Sequence, residues 1–308
     1  FICRAYAKYL HHILVRYTQP HIERTLTKNM ALSQDLVRFF KLMHDPALKL
    51  PLKELQQLEE DIVSRLESIS ELDEDTIIRR FLQLIKATLR TNFYQLDSDG
   101  QLKSYVSFKL DSRKIPDLPL PMPMYETFVF SSRFEGVHLR YDKVARGGLR
   151  WSDRLEDYRT EVLGLMKAQV VKNAVIVPSG AKGGFTLKNP PPKPDKELMQ
   201  KEVTACYGYF IRGLLDLADN IKEGEVIPPE GVICHDASDP YLVVAADKGT
   251  ATFSDLANSI AKEYDFWLGD AFASGGSAGY DHKKMGITAL GALESANRHF
   301  CELGINPE

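Results

Sequence analysis

The stretch NAVIVPSGAKGGF, residues 173–185, decides the fold: an apolar run stops at a proline and gives way to a lysine set among three glycines. Short apolar runs without polar alternation read as strands covered on both faces, the arrangement found when helices flank a largely parallel sheet. A second such run, YLVVAA at 241–246, lies further along. Between and beyond them the 3.6-residue spacing of apolar positions predicts helices over 155–172, 196–218, 253–264 and 286–300. Alternation of this kind is the pattern of an α/β domain.

Working back toward the N-terminus, the period changes. Val106, Phe108 and Leu110 alternate, as do Val137, Leu139 and Tyr141, with YETFVF between them, so strands are expected there. The proline-rich IPDLPLPMP, 115–123, supplies too few amide donors for a helix or a central strand and reads as a linker or edge crossing. Before it, Ile2, Tyr6, Tyr9, Ile13 and Tyr17 recur at helical steps, as do Leu55, Leu58, Ile62 and Leu66, and then Ile77, Phe81, Ile85 and Leu89. Residues 1 to about 92 are therefore expected to be all-helical, with DEDT (73–76) capping the last helix. The expected division is a helical segment, 1–95, and an α/β domain, 96–308.

Composition narrows the function. At 308 residues and 44% hydrophobic, the chain can bury a substantial core. A net charge of −3 with interspersed signs offers neither a nucleic-acid footprint nor a polybasic membrane segment. Cys3, Cys206, Cys234 and Cys301 lack metal or disulfide spacing and are expected to be buried, reduced thiols. The opening FICRAYAKYLHHILVRY is amphipathic rather than a signal core, and no apolar run approaches the ~18 residues that span a bilayer. A cytoplasmic setting is expected. The absence of an initiator methionine and the stop at LGINPE read as a piece of something longer.

The lysine-glycine stretch is not a P-loop, since the spacing and the hydroxyl residue of that motif are missing, and ASGGSAGY at 273–280 does not fit the dinucleotide fingerprint. What the chain does offer is cations at strand ends and in glycine-rich loops: Arg146, Lys172 and Lys182. Gly147 and Gly148 allow close backbone approach to a ligand. Gln169 and Lys172 lie three apart on one helix face, where they could together hold a carboxylate. Cations crowding Lys182 would favour its neutral amine, the form a general base needs. Asp247 leaves an apolar run abruptly, where open α/β sheets bind ligands, although D-x-G-T also fits a turn aspartate. His235 and Asp236 have no further ligand at metal spacing, so no metal site is expected and both are read as structural.

KVARGGLRWSDR, EVLGLMKAQVVKNAVIVPSGAKGGF and DPYLVVAADKGTATFSDLAN together resemble the large, NAD-specific class of glutamate dehydrogenases. CRAYAKYL, LDEDTIIRRFLQLIKATLRTNFYQ and LPLPMPMYETFVFSSRFEGVHLR extend the resemblance over nearly the whole chain. It implies a mixed-sheet substrate-binding catalytic domain of the amino-acid dehydrogenase type after a helical segment. By the same resemblance, Lys182 matches the catalytic base in G-x-K-G-G, and Gln169 and Lys172 match the pair that binds the α-carboxylate. Asp247 matches the proton-shuttling aspartate, and Ala246 would lend its carbonyl to the amino group. Arg146 stands where the smaller enzymes of the family carry a lysine before Gly-Gly-Leu-Arg, and the interval between the lysines is shorter here.

The resemblance further implies NAD as cofactor, held by a nucleotide-binding Rossmann domain expected after residue 308, so the cofactor-binding residues are unknown. It implies glutamate, 2-oxoglutarate and ammonia as small-molecule partners, and a homo-oligomer. The 308 residues alone are then expected to bind substrate weakly and not to turn over. The alternatives are another amino-acid dehydrogenase, which Arg146 disfavours, and a non-catalytic binding or oligomerisation module.

Overall fold

The computed structural model describes residues 1–13, 17–48, 50–173, 179–191, 195–250, 252–277 and 285–306, without the side chains at 170–173 and 288. Five helices come first: α1 (Ile2–Ile13), α2 (Gln19–Lys28), α3 (Met30–His44), α4 (Leu52–Leu66) and α5 (Leu72–Ala87). Their apolar stripes are buried as the spacing requires, Leu55, Leu58, Ile62 and Leu66 on α4 and Ile77, Ile78, Phe81, Leu82, Leu84 and Ile85 on α5. Asp73, Glu74 and Asp75 occupy the first turn of α5 rather than capping it, and the N-cap residue, Glu71, makes no side-chain capping bond. Glu74 accepts a 2.6 Å bond from Lys28 Nζ on α2 instead.

The chain then enters the sheet earlier than its periodicity implied. Thr88–Thr91 form β1, so the all-helical reading to residue 92 ends at Ala87, where the backbone turns extended at Thr88. β2 (Tyr105–Asp111), β3 (Tyr125–Ser131), β4 (Phe134–Arg140) and β5 (Ala145–Ser152) follow, the proline-rich 115–123 lying in the connection between the antiparallel neighbours β2 and β3. After α6 (Tyr158–Asn173) come β6 (Ser179–Leu187), α7 (Lys196–Leu215), the hairpin β7 (Asn220–Lys222) and β8 (Glu225–Ile227), β9 (Val243–Ala246), α8 (Ser254–Glu263), β10 (Ala273–Ser274) and α9 (Ile287–Glu302). Among the described residues the main sheet has the order β1-β2-β3-β4-β6-β5-β9-β10, antiparallel as far as β6 and parallel from β6 to β10. It is a mixed α/β sheet. Residues 174–177, where the strand NAVIV was expected, lie outside the described residues, and the lysine-glycine stretch expected to be a loop is itself the strand β6.

Alternation along the strands separates two packed faces. Val106, Phe108, Leu110, Phe128, Phe130, Val137 and Leu139 share one core with helices α1 to α6. Tyr105, Val129, Phe134, Phe185 and Leu187 share the other with α7 and α8. Charge is buried on both faces, always in pairs. Arg159, at the start of α6, meets Glu126 of β3 through two bonds of 2.8 and 2.7 Å. On the α7 face, Arg90 of β1 bridges Asp219 (2.7 and 3.1 Å) and Asp236 (2.6 Å). Lys109 of β2 joins Asp236 to Asp239, and Arg140 of β4 takes Asp239. His235 donates its backbone amide to Leu89 and sets its ring Nε2 2.9 Å from the Met43 carbonyl, so His235 and Asp236 have structural partners. All four cysteines are free, but of them Cys206 alone is buried, and Cys301 is exposed. No helix among the described residues is long and apolar enough to cross a membrane.

Two buried histidines give the fold an acid limit. Burial pushes both His44 and His138 down to a pKa of about 3, helped by the neighbouring His235 in one case and Arg140 in the other. Folded, they stay neutral where the unfolded chain takes up protons below about pH 6.5. Stability is therefore complete above that pH and falls as pH drops toward 3, by about 2 kcal/mol per histidine between pH 6.5 and 5. Urea midpoints measured across this window should show the slope, and His44→Phe should flatten it. A slope unchanged by that substitution refutes the assignment.

Candidate active site

The site forms where the sheet is parallel. β5 lies between β6 and β9, with Arg146 opposite Gly180 and Arg150 opposite Gly184 on one side and Gly148 opposite Ala245 on the other. This register sets Gly148 level with Lys182. A Cβ on Gly148 would stand 3.3 Å from Lys182 Nζ, 3.0 Å from Asp247 Cβ and 3.2 Å from the Ala246 carbonyl oxygen. Four of the residues expected from the sequence thus converge on one point on the α6 side of the sheet.

Lys182 is only 6% exposed, and its Nζ donates to Asp247 Oδ2. Arg150 approaches the same carboxylate, with Nε 3.2 Å from Oδ2 and Nη2 3.5 Å from Oδ1. Burial alone would raise the Asp247 pKa, but the bonds from Lys182, Arg150 and the Lys248 amide outweigh it and hold the carboxyl below its usual range. Among the described residues, the group at hydrogen-bonding distance from Lys182 is a carboxylate, while the side chain of Lys172, one of the cations expected to crowd it, lies outside the described residues. The turn reading of D-x-G-T is half right. Asp247 N donates to Thr250 Oγ1 (3.0 Å) and Thr250 N to Asp247 O (3.1 Å), yet the carboxylate itself is committed to Lys182 and Arg150. Thr250 Oγ1 also reaches the Leu149 carbonyl at 2.5 Å, fastening this turn to β5.

The glycines serve contact between elements as much as ligand approach. A Cβ on Gly147 would lie 1.6 Å from the Ala181 carbonyl oxygen, so its lack of a side chain lets β5 close on β6. Gly183 makes room for Leu149 and Gly184 for Val162 of α6. Arg146 is half-buried, two residues from Gly148 on the same strand face, and makes no ion pair among the described residues. Gln169 is half-buried on α6; the backbone of Lys172 lies in that helix's last turn, but its side chain is outside the described residues. The pairing of Gln169 with Lys172 is therefore left at helical spacing.

Sequence reasoning missed Arg150, Glu161 and Ser152. Arg150 Nη1 donates to Glu161 Oε1 of α6 at 2.7 Å, and Ser152 Oγ to Glu161 Oε2 at 2.6 Å. Burial works against the Glu161 charge, while Ser152 and Arg150 lower its pKa on balance. The signal was available: Arg146, Gly148, Arg150 and Ser152 alternate along one strand and so share a face. Among the described residues no group of three histidine, cysteine or acidic side chains could hold a metal ion.

Residues 61–308 match the family model for the bacterial NAD-glutamate dehydrogenase catalytic domain, and residues 1–46 match glutamate dehydrogenase helical motif 3. The NAD-specific glutamate dehydrogenase of Pseudomonas aeruginosa is 60% identical over 309 residues, covering 99% of this chain and 19% of that protein. That of Halomonas elongata is 57% identical over 305 residues, covering 99% and 19%. The chain thus spans about a fifth of the length of these relatives. Among solved structures, the glutamate dehydrogenase of Peptoniphilus asaccharolyticus aligns at 13% identity and a TM-score of 0.38, covering 88% of this chain and 51% of that one.

The contacts of the two glycines rank their substitutions. Gly148→Ala, which meets a lysine tip and an aspartate side chain, is expected to destabilise by about 1–3 kcal/mol. Gly147→Ala should cost more, because backbone stands in the way. Denaturation midpoints of the two variants check the order, and the reverse order refutes the register.

Proposed function

The chain belongs to the bacterial NAD-glutamate dehydrogenase family, and from it we propose that the whole protein deaminates L-glutamate oxidatively to 2-oxoglutarate and ammonia, with Lys182 as general base and Asp247 as proton shuttle. The observation that carries this reading is the Lys182–Asp247 pair beside Gly148, buried on the lysine side and partly exposed on the aspartate side. A lysine and a carboxylate in hydrogen-bond contact can pass a proton in either direction, and the reaction needs a proton taken from water and one delivered to the departing amine.

Among the described residues Arg146 makes no ion pair on this face and would take a substrate carboxylate, which its planar guanidinium suits bidentately. Gln169 and Lys172 would hold the α-carboxylate, and the Ala246 carbonyl would accept from the substrate amino group. NAD, when bound, supplies the hydride acceptor. The 308 residues contain no dinucleotide fingerprint to hold it, so its binding residues are not assigned to this chain. Once the α-carbon is oxidised, neutral Lys182 takes a proton from the attacking water and passes it to Asp247, which delivers it to the leaving amine. Substrate is held in place throughout by the flanking cations, which makes the water attack effectively intramolecular. The partners proposed are glutamate, 2-oxoglutarate and ammonia, with self-association of the whole protein.

In the whole protein, Lys182→Ala is expected to lower kcat by about 10²–10⁴-fold while KM for glutamate stays within severalfold. Steady-state NADH formation measures both, and unchanged turnover sinks the role of Lys182.

A further inference from the structure

Among the described residues, Arg150 is the member of this cluster whose side chain bonds both Asp247 and the helix α6. Its guanidinium lies between two carboxylates, Nη1 2.7 Å from Glu161 Oε1 and Nε 3.2 Å from Asp247 Oδ2. Glu161 is fixed in turn by Ser152 at 2.6 Å, and Ser152 Oγ also receives the Arg154 amide at 3.1 Å. The stem of Arg150 runs beside Gly184, where a Cβ would stand 3.6 Å from its Cγ. Three of these groups are largely withdrawn from solvent, with side-chain exposures of 15% for Arg150, 17% for Glu161 and 20% for Asp247. The guanidinium is thus clamped at one end and aimed at the other, an arrangement that orients a carboxylate.

Resting on the dehydrogenase reading above, we propose that Arg150, anchored by Glu161 and Ser152, is a positioning residue that turns Asp247 Oδ2 toward Lys182 and leaves Oδ1 toward the open side for the substrate amine. The asymmetry of the Arg150 and Lys182 contacts supports this: Oδ2 is shared by Lys182 and Arg150 Nε, whereas Oδ1 meets Arg150 Nη2 at 3.5 Å. The charged groups acting on Asp247 are Lys182 from β6, Arg150 from β5 and, through Arg150, Glu161 from α6. Taking away Arg150 leaves the carboxylate to Lys182 alone, free to rotate and less stabilised as an anion. Taking away the charge of Glu161 does the opposite, releasing the guanidinium to bind Asp247 more fully.

The test is the pH profile of kcat/KM for the whole enzyme with glutamate and NAD. Asp247→Asn first identifies the acid limb that belongs to Asp247, by abolishing it. Arg150→Met should then lower kcat/KM about 10²-fold, the cost of a misplaced reacting group, and move that limb to higher pH. Glu161→Gln should move it to lower pH, and Arg150→Lys, which cannot span both carboxylates, should recover only about tenfold of the loss. Opposite displacements by Arg150→Met and Glu161→Gln are what a purely structural role would not produce. If Arg150→Met does not fold by circular dichroism, Glu161→Gln and Arg150→Lys carry the test. An unmoved acid limb in the folded variants overturns the positioning role while leaving the dehydrogenase reading in place. A wild-type enzyme without glutamate-dependent NAD reduction overturns that reading instead.

Discussion

The close approach of β5 to β6 at Gly147 is the constraint on which the site depends. With the Ala181 carbonyl filling the space a side chain would need, only glycine lets the two parallel strands keep their register there. That register places Gly148 beside Lys182 and, through β9, beside Ala246 and Asp247. A shift by one residue would turn Lys182 to the opposite face of the sheet, toward α7, and separate it from Asp247. The chemistry is therefore fixed by backbone packing before any side chain contributes.

The buried ions act on the same sheet from its two faces. Arg90, Lys109 and Arg140 project from three strands toward Asp219, Asp236 and Asp239 in the segment after α7, and Arg159 ties α6 to β3. Cations and carboxylates in the first group balance three against three. Such pairs add little net stability, because desolvation offsets much of their attraction, but breaking one leaves a buried charge uncompensated. They select one alignment of strands and helices over its neighbours. Arg159, which pairs with Glu126, lies two residues before Glu161 on α6, so the helix that holds Arg150 is itself seated on β3.

The helices and the outer strands were legible because burial follows a local period. The apolar stripes of α4 and α5 and the alternation of β2, β3 and β4 can be read without knowing what they pack against. The inner strands were harder. β5 and β6 contain RGG and KGG, and glycines that look like loop residues in isolation are there because Ala181, Leu149 and Val162 occupy their side-chain space. That reason lies in another part of the chain. Lys182 and Asp247 were reachable from their motifs, but Arg150 was not singled out, since its partners are 11 and 97 residues away. The start of β1 was missed for a related reason: Leu89 continues the helical spacing of α5, while its backbone has already joined the sheet.

The helical segment and the sheet share one apolar core, and that has a bearing on how the molecule comes apart. Seven side chains of β2, β3 and β4 are covered on the helical side by residues of α1 to α6. A cut between α5 and β1 would uncover a broad aromatic and aliphatic face on a sheet whose strands carry backbone pairing groups, a surface prone to self-association. Two portions that differ in secondary structure thus bury their apolar faces against each other. The boundary visible in the pattern of residues is a change of architecture, not a place where the chain can be divided.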